Sequence, residues 1–201
     1  MSLFASTSPS YLVLQSLDMA NRYISEAYRE KLASFAEKVR CAKEKLCEHG
    51  FLLVGNEEFK LTVVAKAYGY YGHEIAGYLL EKGIVCEFSD PDFTVLMLAL
   101  ENSDDLDRLV TALEELPRRS EIKEIAPISP RCEKALSVRE ATMSPSVEIP
   151  ICEAKGRILA SASVSCPPAI PILICGERID RDAIECFRYY GVEKCRVVEG
   201  V

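Results

Sequence analysis

Three hydroxyl side chains in a row, Ser6, Thr7 and Ser8, stand directly before Pro9 and a long helical pattern. At a helix N-terminus the free backbone N–H groups and the helix dipole favour an anion, so this triplet is a candidate anion cradle. A plainer role is open to the same residues: Ser8 caps the helix with Pro9 in its first turn, and Ser6 and Thr7 fill the loop. His73 follows Gly72 at the start of a second helical pattern, a position that suits a ligand or a structural imidazole. The nine cysteines are odd in number and irregularly spaced, no C-x-x-C pair occurs, and there are two histidines. Zinc ligands come in close pairs, so no metal site is expected. A disulfide scaffold is not expected either, which leaves the thiols as small hydrophobes in a reducing compartment. Glu101, Asp104, Asp105 and Asp107 read as the acidic bias of a helix N-terminus.

These groups need elements to hold them. Hydrophobic residues make up 49% and charged residues 27% of 201 positions. That is a folded composition, with room for one large domain or two small ones. Lys plus Arg is 24 against 31 Asp plus Glu, a net charge of −7, which argues against a nucleic-acid partner. The run Val95 to Leu100 is far short of the ~18 apolar residues of a spanning helix. The N-terminus has no basic region before an apolar one, so no membrane and a cytoplasmic location are expected.

Ser8–Pro9 opens a helical stretch with apolar residues at Leu14, Leu17, Ile24, Ala27, Leu32, Phe35, Val39 and Leu46, stopping near Gly50; one helix or two remains open. Residues 51–54 and 59–65 read as strands, and 72–82 as a helix with Ile75, Leu79 and Leu80 on one side. Residues 84–88 and 93–100 are β-rich runs about a turn, and Ser103 caps a helix through Leu106, Leu109, Val110, Leu113 and Leu116. Residues 117–130 form a linker bounded by prolines. Beyond it come a helix at 135–142, a helical turn at Glu153 to Gly156 and a strand at 158–164. Cys166 to Pro171 is expected to be an extended strap, because three prolines remove donors and fix φ. A strand at 172–175, a helix from Asp180 to Tyr190 and a strand at 194–198 end the chain. The expected class is α/β (α+β). A helical segment 1–50 precedes a small mixed β-α-β-β-α sheet domain at 51–117 with helices on one face. A linker at 118–130 then leads to a C-terminal α/β domain at 131–201 with a proline-rich strap.

The order of short motifs resembles a known family. Ser6 to Leu12 with Ser16-Leu17-Asp18-Met19-Ala20 is similar to the Ser-Thr-Ser-Pro-Ser-Tyr segment of the Orn/Lys/Arg decarboxylases. These are pyridoxal-phosphate (PLP) enzymes of the aspartate-aminotransferase-like fold type I. Lys60-Leu61-Thr62-Val63, Gly72-His73-Glu74, Glu87-Phe88-Ser89-Asp90, Asp107 to Leu113, Ser137 to Ala141, Ala154 to Ile158 and Pro167 to Glu177 follow in the family's order. The resemblance covers nearly all of residues 5–180 and only the C-terminal part of the family. It implies that residues 1–50 belong to the end of the PLP large domain and 131–201 to the family's C-terminal domain. It implies an enzyme that turns arginine, lysine or ornithine into its amine and carbon dioxide. Under it, Ser6, Thr7 and Ser8 approach the cofactor phosphate from a neighbouring subunit. Glu177 either attracts a diamino or guanidino substrate or is a solvated loop carboxylate.

The family's Schiff-base lysine lies in a Ser-x-His-Lys motif. Here His49 precedes Gly50 and His73 precedes Glu74. The expectation is a C-terminal fragment, inactive alone and binding no PLP by itself, that forms a homodimer or higher oligomer through residues 1–50. The alternative is a non-catalytic α/β interaction module or degenerate homologue. Cys166 replaces the family's usual tyrosine before the Pro-Pro pair, and Ala169 its usual glycine, which removes a hydroxyl and adds a methyl in the strap.

Overall fold

A computed structural model describes residues 10–161, 163–166 and 170–200. Ser6, Thr7 and Ser8 lie outside those residues; the helix start expected at Ser8–Pro9 needs correction, because Ser10 is extended and is the N-cap of the first helix, which begins at Tyr11. The N-terminal pattern forms two helices, α1 (Tyr11–Ser25) and α2 (Tyr28–Glu48). The break sits at Ala27, whose φ of 55° puts an ordinary residue in the left-handed region, at a cost of roughly 1 kcal/mol. Helix α1 buries none of its side chains. Helix α2 buries Phe35, Val39, Ala42 and Leu46, a single stripe at helical spacing.

That stripe packs onto a four-stranded sheet. The strands β1 (Leu53–Val54), β2 (Lys60–Val64), β3 (Phe88–Ser89) and β4 (Phe93–Met97) lie in the order β1-β2-β4-β3. Every ladder in it is antiparallel. Leu61 pairs with Leu96 and Val63 with Thr94, so these four share a face, and each is at most 3% exposed. A four-residue helix, α3 (Ala65–Tyr68), follows β2 directly, before α4 (Gly72–Glu81) and α5 (Leu106–Glu114). Ile75 and Leu79 of α4 and Leu109 and Leu113 of α5 join Phe35 and the sheet in one apolar cluster. At about 25 cal/mol per Å² of apolar surface, this cluster is the main force holding residues 28–116 together.

Three local expectations need correction here. Leu80 is 60% exposed, because one residue beyond the buried Leu79 is a turn of about 100° around the helix. The run 84–88 yields only Phe88–Ser89 as strand, since the Ile84 N–H returns to the Leu79 carbonyl and closes α4. Ser103 is not a cap: it lies inside a 3₁₀ turn, Leu100–Asp105, and α5 starts after it at Leu106.

Residues 117–133 hold no regular element, yet they are tied down. The Tyr68 and Tyr70 hydroxyls donate to the Leu116 and Pro117 carbonyls. The N–H groups of Arg119 and Ile122 donate to the carbonyls of Tyr68 and Lys66. The Arg119 guanidinium lies 3.9 Å from the Tyr70 ring centroid.

The C-terminal part has its own cores. Ser137 and Glu140 form a reciprocal cap that starts α6 (Val138–Met143), three residues later than the expected helix start. Strand β5 (Ser146–Pro150) pairs with β8 (Lys194–Val198), and β6 (Ser163–Cys166) with β7 (Ile170–Ile174). Between them α7 (Arg181–Tyr189) is capped by Asp180, whose carboxylate accepts the Ala183 N–H at 2.8 Å, as expected. Phe187, Ile179, Leu173, Leu159 and Val197 fill one cluster, and Ala141, Ile158, Cys175 and Val198 a second. The strand expected at 158–164 starts at Ser163; Ile158 and Leu159 form isolated bridges to Arg178 and Val197. At the strap the described residues are extended, as expected: Cys166 pairs with Ile170 and Ser165 with Pro171 in a two-stranded antiparallel ladder. A two-stranded ladder has only edge strands, which accommodate a proline that has no N–H to give. No helix among the described residues is long and apolar enough to cross a membrane.

Candidate functional site

Glu177 follows Gly176 in the turn after β7. Gly176 has a φ of +93°, and a Cβ there would stand 2.3 Å from the Leu136 carbonyl oxygen, so the turn needs glycine. The Glu177 carboxylate accepts the Ile174 N–H at 2.9 Å. It therefore braces its own turn while adding negative charge to it. Ser6, Thr7 and Ser8 lie outside the described residues, so no distance relates them to Glu177. His73 is exposed and stacks on Tyr71, with ring centroids 5.5 Å apart. The acidic cluster is engaged locally: Asp105 pairs with Arg108 at 3.0 Å, and Glu101 accepts from the Tyr23 hydroxyl at 3.2 Å. Among the described residues no His, Cys, Asp and Glu side chains gather into a metal-binding group.

One ionic cluster was not visible in the sequence. Lys66, between β2 and the linker, is 5% exposed, the only charged side chain among the described residues that is buried. Its ammonium stands 3.1 Å from Asp92 Oδ1 and donates to the Glu124 carbonyl at 3.0 Å and to the Tyr189 hydroxyl. The Tyr189 hydroxyl in turn donates to Asp92 Oδ2 at 2.7 Å. The rings of Tyr189 and Tyr71 lie 4.7 and 5.6 Å from Nζ, within cation–π range. Burial pulls the Lys66 ammonium toward losing its proton, but the bonds to Tyr189 and Asp92 outweigh it and hold the group charged. Burial, with the hydrogen bond to Asp92, holds the Tyr189 phenol protonated. The one hint in the sequence is a lysine set inside the apolar and aromatic run Val63 to Tyr71.

This geometry bears on pyridoxal phosphate. A lysine that forms a Schiff base must give up its proton, and burial without a counter-ion is what promotes that. Lys66 has a counter-ion and two hydrogen-bond acceptors. The other described lysines are exposed or half-buried at the surface. The described residues do not fit the lysine anchor of that cofactor. A cleft of about 290 Å³, lined by Phe35, Ile84, Leu96, Leu98, Leu106 and Arg108, offers no nucleophile. Its arginine is taken by Asp105 and the Gly83 carbonyl.

The thiols are graded by burial. Burial pushes Cys86 and Cys132 up to about 11 and Cys195 above its ordinary value. Cys175 and Cys186 are buried, whereas Cys41, Cys47 and Cys152 are exposed. The thiolate is the reactive form. Iodoacetamide at neutral pH should therefore label Cys41, Cys47 and Cys152 in the native protein and spare Cys86, Cys132, Cys175, Cys186 and Cys195. Peptide mass spectrometry reads this directly, and labelling of Cys86 or Cys132 as fast as Cys152 would refute it.

Comparison with known proteins places these features in context. Residues 126–194 match the family described as Orn/Lys/Arg decarboxylase, C-terminal domain. The arginine decarboxylase of Bacillus subtilis (strain 168) is 30% identical over 207 residues, which span 92% of this chain and 42% of that protein. The arginine decarboxylase of Bacillus anthracis is 31% identical, over 93% of this chain and 42% of that protein. This chain thus spans about two fifths of the length of these relatives. Lysine decarboxylase A from Pseudomonas aeruginosa superposes with a TM-score of 0.68 at 16% identity, over 94% of this chain and 39% of that one. The constitutive lysine decarboxylase of E. coli gives 0.62 at 15% identity, over 98% of this chain and 45% of that one. At such identities the superpositions establish the fold.

Proposed function

We propose, on the premise that residues 126–194 belong to the Orn/Lys/Arg decarboxylase C-terminal domain family, that this chain is the part of a basic amino-acid decarboxylase that flanks its substrate pocket. The reaction is the conversion of arginine, lysine or ornithine to its amine and carbon dioxide in the cytoplasm. Arginine is the first substrate to test, because the relatives near 30% identity are arginine decarboxylases. Pyridoxal phosphate, when bound, supplies the electron sink, and its lysine comes from residues other than the described ones. This chain supplies shape and charge. Glu177 attracts the cationic end of the substrate, and the hydroxyls of Ser6, Thr7 and Ser8 hold the phosphate.

The exposed apolar residues of α1, among them Tyr11 at 86% and Leu12 at 79%, pack against another part of the assembly or a second copy of the chain. The reading rests on one observation: the likeness to arginine decarboxylases runs through 92% of the chain, across the sheet and the C-terminal domain alike. A second reading, a non-catalytic interaction module, draws support from the lack of a fitting lysine.

One experiment separates the two. The purified chain is given PLP, borohydride and carboxyl-labelled arginine, alone and after co-expression with the part of the B. subtilis relative that this chain does not span. The chain alone should trap no adduct and release no carbon dioxide. The co-expressed complex should decarboxylate arginine, with Glu177→Gln raising KM at least tenfold. Turnover by the chain alone overturns the division of labour, and an inert, well-formed complex favours the interaction module.

A further inference from the structure

The two halves of the molecule do not share an apolar core. The buried cluster of the sheet half draws on residues 35–116, and the clusters of the C-terminal half on residues 132–198. Domains joined without a large apolar interface move relative to one another by default. Something directional must set their seat, and the Tyr189 hydroxyl supplies it: it accepts from Lys66 and donates to Asp92 across the boundary.

We propose that Lys66, Asp92 and Tyr189 form a latch that fixes how the C-terminal half seats on the sheet half. Each member is itself held. Asp92 lies in the turn before β4, where Asp90 Oδ1 accepts the N–H groups of Asp92 and Phe93 at 2.8 and 2.6 Å. Tyr189 is the last residue of α7, and its ring meets Tyr190 edge-on, with centroids 5.0 Å apart. Lys66 also holds the linker between the halves. Its carbonyl accepts the Ile122 N–H at 3.1 Å, and its ammonium lies 3.0 Å from the Glu124 carbonyl and 3.4 Å from the Glu124 carboxylate. One side chain therefore bonds the sheet turn, the linker and α7 together. A buried ion pair recovers little net stability after desolvation, and an apolar replacement of like volume is often neutral. The latch supplies orientation rather than stability.

The test uses the intact chain and hydrogen–deuterium exchange read by mass spectrometry. In Tyr189→Phe the amides of residues 120–128 and 188–193 should exchange at least tenfold faster, while those of β2, β4, β5 and β8 keep their rates. Lys66→Met removes the ammonium and leaves the Asp92 carboxylate held by the Tyr189 hydroxyl, and should repeat the pattern with both cores folded. Unchanged exchange in both segments in either variant would overturn the proposal. Acceleration spread evenly through one core would overturn it too, by reducing these residues to ordinary contributors to the fold. Neither readout depends on decarboxylase activity, so failure here is distinct from failure of the functional reading.

Discussion

Gly72→Ala is expected to melt the sheet half of the molecule, at a cost of about 4 kcal/mol or more, the range reserved for the severest single changes. The reason is contact, not backbone angle, for Gly72 is absent from the positive-φ glycines. A Cβ at Gly72 would stand 2.1 Å from the Phe93 carbonyl oxygen and 2.4 Å from that of Asp90. Both are backbone atoms of the turn that carries Asp92. That turn cannot retreat cheaply. The Thr94 hydroxyl, fully buried, donates to the Gly72 carbonyl at 2.8 Å, and the Ala65 N–H donates to the Asp92 carbonyl at 2.9 Å. Urea unfolding followed by exchange at β2 and β4 should show the first transition moving to much lower denaturant. A variant with an unshifted midpoint would mean that α4 can slide away from the sheet, contrary to the packing described above.

Phe187→Ala is expected to cost about 3–5 kcal/mol, the usual range for a fully buried phenylalanine, and to strike the other half. Phe187 is 0% exposed and packs with Leu159, Leu173, Ile179 and Val197. Its neighbour Cys186 and the helix start at Asp180 would go with it. Since the sheet core shares no member with this cluster, exchange at β2 and β4 should stay within twofold of the parent while protection at β5 and β8 collapses. Equal loss in both halves would show that they unfold as one cooperative unit. Together the two substitutions assign each unfolding transition to its own core.

Much of the secondary structure was legible because it is written in local chemistry. The Asp180 cap, the stripe through Phe35, Val39 and Leu46, and the strand runs at 59–65 and 93–100 that hold Lys60–Val64 and Phe93–Met97 all follow from side-chain type and period. The errors cluster where a tertiary or backbone contact overrides the pattern. The 84–88 run reads as strand, but the closing hydrogen bond of α4 claims Ile84. The 158–164 run reads as one strand, but Ile158 and Leu159 are drawn into single bridges to Arg178 and Val197, and the strand starts at Ser163. The candidate site residues divide the same way. The motif order around Gly72-His73-Glu74 and Glu87 to Asp90 pointed to the family, but not to why Gly72 is needed, which is the approach of the Phe93 carbonyl.

From the sequence alone came the α/β class, the α7 cap, the resemblance to the Orn/Lys/Arg decarboxylase family and the lack of a His-Lys pair. Those depend on residue type and spacing along one chain. Only the tertiary structure could single out Lys66, because a lysine's role depends on what surrounds its ammonium. Asp92 and Tyr189 are 26 and 123 positions away from it, and no periodicity carries that far. The separation of the two cores had the same source: apolar residues show in a sequence, but which of them share a cluster is decided by the path of the chain.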